Sequence, residues 1–172
     1  KSASHAFPIR SIVGDIMYSA LSVRPELTFA TTYLARHLTL QNEATWKMAR
    51  KLQKYYAATA DLKLHLNGRP SAATKGFHVY CDSDYASDPI SRRSYGGFIV
   101  FYNGNPIYWR TRLSKLVCTS STHAELDAAY NAVKEVTWLY QIINDLKTQL
   151  RQPRMKTMHL HQYNQSTMSL LH

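Results

Sequence analysis

The spacing of apolar residues changes along this chain from a helical repeat to a strand-like repeat, and the change falls near residues 67–76. Apolar residues that recur every three or four positions predict amphipathic helices in the first part. The stretch 67–76 is rich in Gly, Pro, Ser and Thr, which favour loops, so it is the predicted linker. The predicted helices cover residues 9–21, a segment that begins at Pro25, and a segment from the N-cap Asn42 to about residue 58.

The pattern after residue 76 indicates strands followed by one long helix. Asn103-Gly104 separates two apolar runs, which is typical of a hairpin. A short alternating run at 62–66 predicts one more strand, ahead of the linker. The other predicted strands cover residues 77–82, 95–102, 106–110 and 158–161, and the predicted helices cover residues 122–146 and 164–171. This order predicts an α/β domain with helices packed on a mixed sheet, preceded by a small helical segment.

The charge balance favours a polyanionic partner. The 172 residues include 21 Lys and Arg against 11 Asp and Glu, a formal net charge of +10. Such a surface attracts nucleic acid first and an anionic membrane second, with solubility as the alternative explanation. The sequence has no signal-peptide pattern and no apolar run of transmembrane length, which predicts an intracellular protein without a membrane partner. Cys81 and Cys118 lie in apolar surroundings, which predicts two buried thiols.

Two carboxylates occupy positions suited to metal chemistry. Asp82 ends the first strand after the linker, and Glu125 lies on the apolar face of the long helix, where it should face the sheet. A carboxylate in that position is costly unless it is paired, protonated or bound to metal. The alternatives are an acid at the edge of the core for Glu125, and an Asp-rich turn for Asp82 with Asp84 and Asp88. Asp127 is expected to project into solvent near the helix N-terminus.

Basic residues cluster on the third predicted helix and beside the predicted sheet. On the helix they recur at three- and four-residue spacing, so they share one face. These residues are Lys47, Arg50, Lys51, Lys54, Arg92, Arg93, Arg110 and Arg112. They are the predicted nucleic-acid contacts, and ordinary solvated surface charge is the alternative.

Several motifs are specific when taken together. They are Tyr80-Cys81-Asp82-Ser83-Asp84, Arg92-Arg93-Ser94-Tyr95-Gly96-Gly97-Phe98, Tyr108-Trp109, Cys118-Thr119-Ser120-Ser121-Thr122-His123-Ala124-Glu125 and Lys134-Glu135-Val136-Thr137-Trp138-Leu139. This part of the chain resembles the ribonuclease H domain of copia-type LTR retrotransposon polyproteins. Upstream, Arg24-Pro25-Glu26-Leu27 and Leu34-Ala35-Arg36 resemble the end of the reverse transcriptase that precedes that domain. The resemblance runs through nearly the whole chain.

The resemblance implies four acids that bind two magnesium ions and support hydrolysis of the RNA strand of RNA–DNA hybrids. Asp82 matches the first acid and Glu125 the second, so both are predicted to be catalytic and metal-binding. Tyr163 stands in place of the third acid, before the matching Asn164-Gln165-Ser166, and the fourth acid lies downstream of His172. A competent site would use Mg²⁺, or Mn²⁺ in its place, and an incompetent site would use no cofactor. With at most two of four ligands, the sequence predicts an impaired nuclease.

The resemblance also divides the chain. Residues 1–66 are predicted to be a helical reverse-transcriptase tail, thumb-like or connection-like, and 67–76 a linker. Residues 77–172 are predicted to be a ribonuclease H-like domain truncated at its C-terminus. The alternative function is a non-catalytic nucleic-acid-binding or structural component, such as a domesticated copy in a ribonucleoprotein. Expected partners are an RNA–DNA hybrid or duplex and the rest of a polymerase polyprotein, in a cytoplasmic particle or the nucleus.

Overall fold

The computed structural model describes residues 7–39, 42–67, 69–164 and 167. The chain divides into two compact units, Lys1–Leu64 and His65–His172. Most of the helix predicted over residues 164–171 falls outside the described residues. None of the helices in the described ranges combines the length and apolar character needed to cross a bilayer.

The first unit is a small helical bundle whose apolar faces form one core. Its helices are α1 (Ile9–Ser22), α2 (Thr28–Arg36) and α3 (Glu43–Ala58), with a single 3₁₀ turn over Pro25–Leu27. The predicted N-cap is confirmed, because the Asn42 side chain accepts a hydrogen bond of 2.9 Å from the backbone N–H of Thr45. Such a cap satisfies an amide that would otherwise lack a partner at the helix start.

Arg24 joins the segment after α1 to the end of α3. Its guanidinium donates to the carbonyl oxygen of Thr59 at 3.0 Å and to the Thr59 hydroxyl at 2.6 Å. The same group pairs with Glu26 at 2.5 Å and lies 5.7 Å from the centre of the Tyr56 ring. A buried charge is tolerated when it is paired and hydrogen-bonded in this way.

The second unit is an α/β domain built on a four-stranded mixed sheet. Its elements are β1 (Phe77–Asp84), β2 (Tyr95–Tyr102), β3 (Asn105–Leu113), α4 (Ser121–Gln149) and β4 (Met158–His161). The strand order is β3-β2-β1-β4, with β1–β2 and β2–β3 antiparallel and β4 parallel to β1. The mixed sheet with a packed helix that the sequence predicts is confirmed, and this arrangement is compatible with a ribonuclease H-like fold.

Small residues let α4 lie close to the sheet. Ala129, Ala132 and Val136 pack against Phe77 and Val79 of β1 in the core of the unit. Gly96 of β2 faces Ala128 so closely that a Cβ atom added at Gly96 would lie 3.3 Å from the Ala128 Cβ. The absence of a side chain at Gly96 therefore sets the distance between β2 and α4.

The predicted hairpin is confirmed, with Asn103 and Gly104 both at positive φ, as a type I′ turn requires. The segment before β1 packs against this turn, since the Asn103 N–H donates to the Gly76 carbonyl at 2.9 Å. Residues 69–76, part of the predicted linker, thus lie inside the second unit. The strand predicted over 62–66 is wrong, because those residues pair with no neighbouring strand.

Candidate metal and nucleic-acid site

The candidate site lies where β1 meets the first turns of α4. Asp82, opposite Gly97 in the β1–β2 ladder, is exposed. Glu125 is buried at 8% exposure, and it lies close enough to Asp82 for that residue to raise its pKa. The Ser120 hydroxyl caps α4 by accepting from the His123 N–H at 3.1 Å, which fixes the helix start that positions Glu125. The fold therefore brings the two predicted acids together.

Glu125 is held by neighbours at the ends of β1 and β4. The side-chain amide of Gln162, itself buried, donates to Glu125 Oε2 at 2.6 Å. The backbone of Ser83 lies close enough to the carboxylate to lower its pKa. Burial raises the pKa of Glu125 above its usual value, and the hydrogen bond from Gln162 opposes that rise. The negative charge of Asp82 and its hydrogen bond raise the pKa further.

Cys81 lies beside this acid pair but is not a nucleophile. Burial raises the pKa of its thiol to about 12, with smaller contributions from the charges of Glu125 and Asp82. The thiol donates to Gln162 Oε1 at 3.7 Å, so it supports the residue that holds Glu125. Both cysteines are buried and free, as the sequence predicts. Only a thiolate is strongly nucleophilic, and this environment disfavours the thiolate.

Tyr163 stands at the position where the sequence resemblance predicts the third acid. The parallel pairing of β1 and β4 ends at Tyr80 and His161, two residues before Asp82 and Tyr163 respectively. The Tyr163 side chain is 81% exposed. Gln165 and Ser166, which complete the motif, lie outside the described residues. A tyrosine here provides a phenol in place of a carboxylate.

The donor set does not fit two magnesium ions. Two-metal sites need several carboxylates to hold both cations. Among the residues that the structure describes, no group of three or more His, Cys, Asp or Glu side chains could hold a metal ion. Asp88 of the nearby loop is buried and accepts from the Ser91 N–H at 2.8 Å and its hydroxyl at 2.5 Å. Asp88 therefore stabilises the turn. This agrees with the alternative interpretation, in which Asp82, Asp84 and Asp88 form an Asp-rich turn.

Arg110 and Arg112, two predicted nucleic-acid contacts, form ion pairs with α4. Both guanidinium groups pair with Glu135, at 2.8 Å and 2.7 Å, and Arg112 also donates to Asn131. The hydrogen bond to Glu135 raises the pKa of Arg110. These two residues tie β3 to α4, so they have a structural use that the sequence did not predict.

The other predicted nucleic-acid contacts differ in whether they form ion pairs or hydrogen bonds within the protein. On α3, Lys47 pairs with Glu43 at 2.8 Å, and Arg50 donates to Gln53 at 2.6 Å. Lys51 and Lys54 are exposed on the same helix. In the second unit, Arg92 is exposed, and the Arg93 guanidinium donates to the Ser91 hydroxyl at 3.1 Å.

Two further residues of the site were not anticipated correctly from sequence. Asp127, expected to project into solvent, instead accepts from the Ser114 hydroxyl at 2.7 Å and from Asn131 at 2.9 Å. The expectation is wrong because the end of β3 brings Ser114 against this turn of α4. No pattern in the sequence pointed to Gln162, because only the packing of β4 beside β1 places its side chain against Glu125.

Comparison with known proteins gives a consistent result. The chain is 31% identical over 144 residues to the Retrovirus-related Pol polyprotein from transposon RE2 of Arabidopsis thaliana, which covers 84% of this chain and 10% of that protein. It is 31% identical over 139 residues to the corresponding polyprotein from transposon TNT 1-94 of Nicotiana tabacum, covering 81% of the chain and 10% of that protein. It is also 32% identical over 132 residues to Secreted RxLR effector protein 161 of Plasmopara viticola, covering 77% of the chain and 91% of that protein.

No family model and no solved structure matches the chain. The mixed sheet and the packed helix are compatible with a ribonuclease H-like fold. The chain belongs to the family of copia-type retrotransposon Pol polyproteins. It spans about a tenth of the length of the polyproteins it matches.

Replacing Glu125 with glutamine is expected to stabilise the second unit at neutral pH. The pKa of Glu125 is higher in the folded protein than its unfolded value of 4.5. The stability that Glu125 contributes is therefore fully present below pH 4.5 and is lost as the pH rises through the folded pKa. At pH 7, above the unfolded pKa, the raised pKa of Glu125 therefore costs stability, and Glu125→Gln should gain about 1 kcal/mol, the scale of a typical single substitution.

Thermal unfolding at pH 7.5 and pH 4 measures this effect. The gain in stability from Glu125→Gln should shrink at pH 4, which lies below the pKa of Glu125 in both the folded and the unfolded protein. Asp84→Asn, a change at an exposed carboxylate nearby, is the matched control and should show little effect at either pH. A Glu125→Gln variant that is less stable than the parent at pH 7.5 would contradict the expectation.

Proposed function

We propose that this chain is a ribonuclease H-like portion of a retrotransposon polymerase that binds RNA–DNA hybrid or duplex and cleaves it weakly or not at all. The observation that carries the proposal is the incomplete acid set. Glu125 is tied to a buried Gln162 amide at 2.6 Å, and Tyr163 takes the third position.

The energetics of metal-assisted cleavage support the loss of activity. Each metal in a two-metal site stabilises developing charge by several kcal/mol, and about 1.4 kcal/mol corresponds to a tenfold change in rate. With Tyr163 in place of the third acid, the site therefore loses several powers of ten in rate. A neutral phenol does not replace the charge of a carboxylate beside a hard cation.

Binding does not depend on the missing acids. The formal charge of +10 suits a phosphate backbone, and Lys51, Lys54 and Arg92 present exposed cations. A hybrid duplex is recognised largely through its shape and backbone, which needs no catalytic metal. The proposed partners are hybrid or duplex nucleic acid and the rest of the polyprotein, in a cytoplasmic particle or the nucleus.

A cleavage assay on an RNA–DNA hybrid, with Mg²⁺ or Mn²⁺, tests the proposal. The unmodified chain should cleave little or not at all, and Tyr163→Asp alone should restore little, because three ligands still hold one metal poorly. An extended chain that also supplies the fourth family acid should restore more. Robust Mg²⁺-dependent cleavage by the unmodified chain, abolished by Asp82→Asn, would overturn the proposal.

The second candidate is a non-catalytic structural component. The observation that favours it is a relative of nearly the same length, since the chain covers 91% of Secreted RxLR effector protein 161. A segment of this family thus has a counterpart outside the long polyproteins. The candidate predicts that hybrid binding is the same with Mg²⁺ or with EDTA and is unaffected by Asp82→Asn. A strong requirement for Mg²⁺ in binding would argue against it.

A further inference from the structure

An open apolar groove lies between α2 and α3 in the first unit. It has a volume of about 420 Å³ and is lined mainly by apolar and aromatic side chains of the two helices. Leu27, Leu34 and Leu52 form its floor, because they line the groove and are buried members of the core of this unit. A groove of this size is large enough to hold a small flat molecule or part of a larger one.

Aromatic rings from both helices line the groove. Phe29 of α2 is 45% exposed, and Tyr55 of α3 is 44% exposed. The half-buried Tyr33 ring lies 6.2 Å from the Phe29 ring, tilted by 36°. A ring that is exposed to this extent can take a nucleic-acid base against its face, since every base has a π-face of its own.

The charge beside the groove is positive. Lys51 lines the groove and is exposed. Among the described residues of the lining, the acid is Glu26, which already pairs with Arg24 at 2.5 Å. Lys47 and Lys54 lie about one helical turn before and after Lys51 on α3, so the three lysines form a basic edge along the groove. Such an edge attracts phosphate groups.

The rings and the lysines together favour one kind of occupant. An acidic amphipathic helix would insert aliphatic side chains, for which leucine and methionine walls serve as well as rings. In a duplex the bases are already stacked on one another, so a duplex offers phosphates to the lysines but no base to the rings. An unpaired strand offers both, which is how aromatic rings and a basic groove bind single strands in general.

We propose that the groove between α2 and α3 binds an unpaired stretch of RNA or DNA. Its bases stack on Phe29 and Tyr55, and its phosphates contact Lys51 and the rest of the basic edge. The inference rests on the proposed function in taking nucleic acid as the partner. It adds a single-strand site within the first unit, to which the acid pair of the second unit contributes nothing.

Fluorescence anisotropy of the full chain with a labelled ten-nucleotide oligothymidylate, or with the matching oligouridylate, tests the groove. Phe29→Ala and Tyr55→Ala should each weaken binding by about 5–150-fold, the range for the loss of one base–aromatic stack. Tyr55→Phe keeps the ring and should bind like the unmodified chain. Tyr18→Ala is the matched control, because this ring of α1 is 79% exposed and lies outside the groove, and it should leave the affinity unchanged.

The rings and the lysine should differ in their response to salt. Phe29→Ala should lower the affinity at every salt concentration without changing the slope of log affinity against log salt, because stacking releases no counterions. Lys51→Gln should make that slope shallower by about 0.7, the value for one phosphate contact to a single strand. A Phe29→Ala variant that changes the slope as much as Lys51→Gln would contradict the assignment of the ring to stacking.

Unchanged oligonucleotide affinity in both ring variants, or an equal loss in Tyr18→Ala, would overturn the proposal. Undiminished binding by Phe29→Leu would also overturn it, because that change keeps an apolar side chain but removes the ring. Aromatic-ring NMR spectra of the unmodified chain guard against misfolding of the variants. The oligonucleotide should shift the ring signals of Phe29 and Tyr55, and shifts confined to other rings would show that the groove is not the site.

A blunt RNA–DNA hybrid, used as a second probe, separates this inference from the proposed function. Hybrid binding without ring-dependent binding of either oligonucleotide would remove the groove site and leave the proposed function in place. Ring-dependent oligonucleotide binding without hybrid binding would do the reverse. Ring-dependent binding of either oligonucleotide supports the groove, and the tighter of the two identifies the preferred strand as DNA or RNA.

Discussion

The affinity of this chain for an RNA–DNA hybrid is expected to fall by about two to three orders of magnitude as salt rises from 50 to 200 mM. Each neutralised phosphate releases counterions, and about five contacts give a fall of this size. The triple variant Lys47→Glu, Lys51→Glu, Lys54→Glu should weaken binding for every hybrid sequence and flatten the salt dependence. Fluorescence anisotropy with a labelled hybrid at four salt concentrations measures both quantities.

A charge-matched triple variant in the second unit separates a local contact from the effect of net charge. Lys115→Glu, Lys134→Glu and Lys156→Glu change the total charge equally at exposed positions. The α3 variant should lose clearly more affinity than this control. Equal losses in the two variants would remove α3 as the contact surface and leave only the overall charge. Circular dichroism of both variants checks the folded state, since surface changes of this kind usually cost less than about 0.5 kcal/mol each.

Phe77→Ala is expected to destabilise the second unit by about 3–5 kcal/mol, the range for a buried aromatic residue. The Phe77 side chain is fully buried at 0% exposure and meets the Tyr140 ring edge-on at 5.5 Å. It sits at the start of β1, where α4 and both neighbouring strands converge. Removing the ring therefore leaves a cavity that three elements line.

Urea denaturation followed by circular dichroism measures this loss as a lower midpoint. Tyr130→Ala is the matched control, because this aromatic residue of α4 is 62% exposed. It should change the free energy of unfolding by less than about 0.5 kcal/mol. A Phe77→Ala variant that loses less than 1 kcal/mol would show that the core of the sheet collapses around the missing ring. The same variant should weaken any function that needs Asp82 and Glu125 held together.

Local signals in the sequence were enough to predict most of the secondary structure. The cap at Asn42 and the turn at Asn103-Gly104 depend on hydrogen bonds and backbone angles within a few residues. The position of Glu125 on the buried face of α4 follows from the helical repeat alone. The exception is the run at 62–66, where alternation predicted a strand but no neighbouring strand pairs with it.

The contacts that define the site depend on residues far apart in the chain. The parallel pairing of β4 with β1 places Gln162 against Glu125 and His161 against His78, and no local pattern specifies that register. The pairing of β3 with β2 likewise turns Arg110 toward Glu135 on α4. Short-range propensity therefore determined where helices and strands form. Which polar groups meet was decided by packing, because a buried charge or amide takes whatever partner the assembled sheet and helix bring within reach.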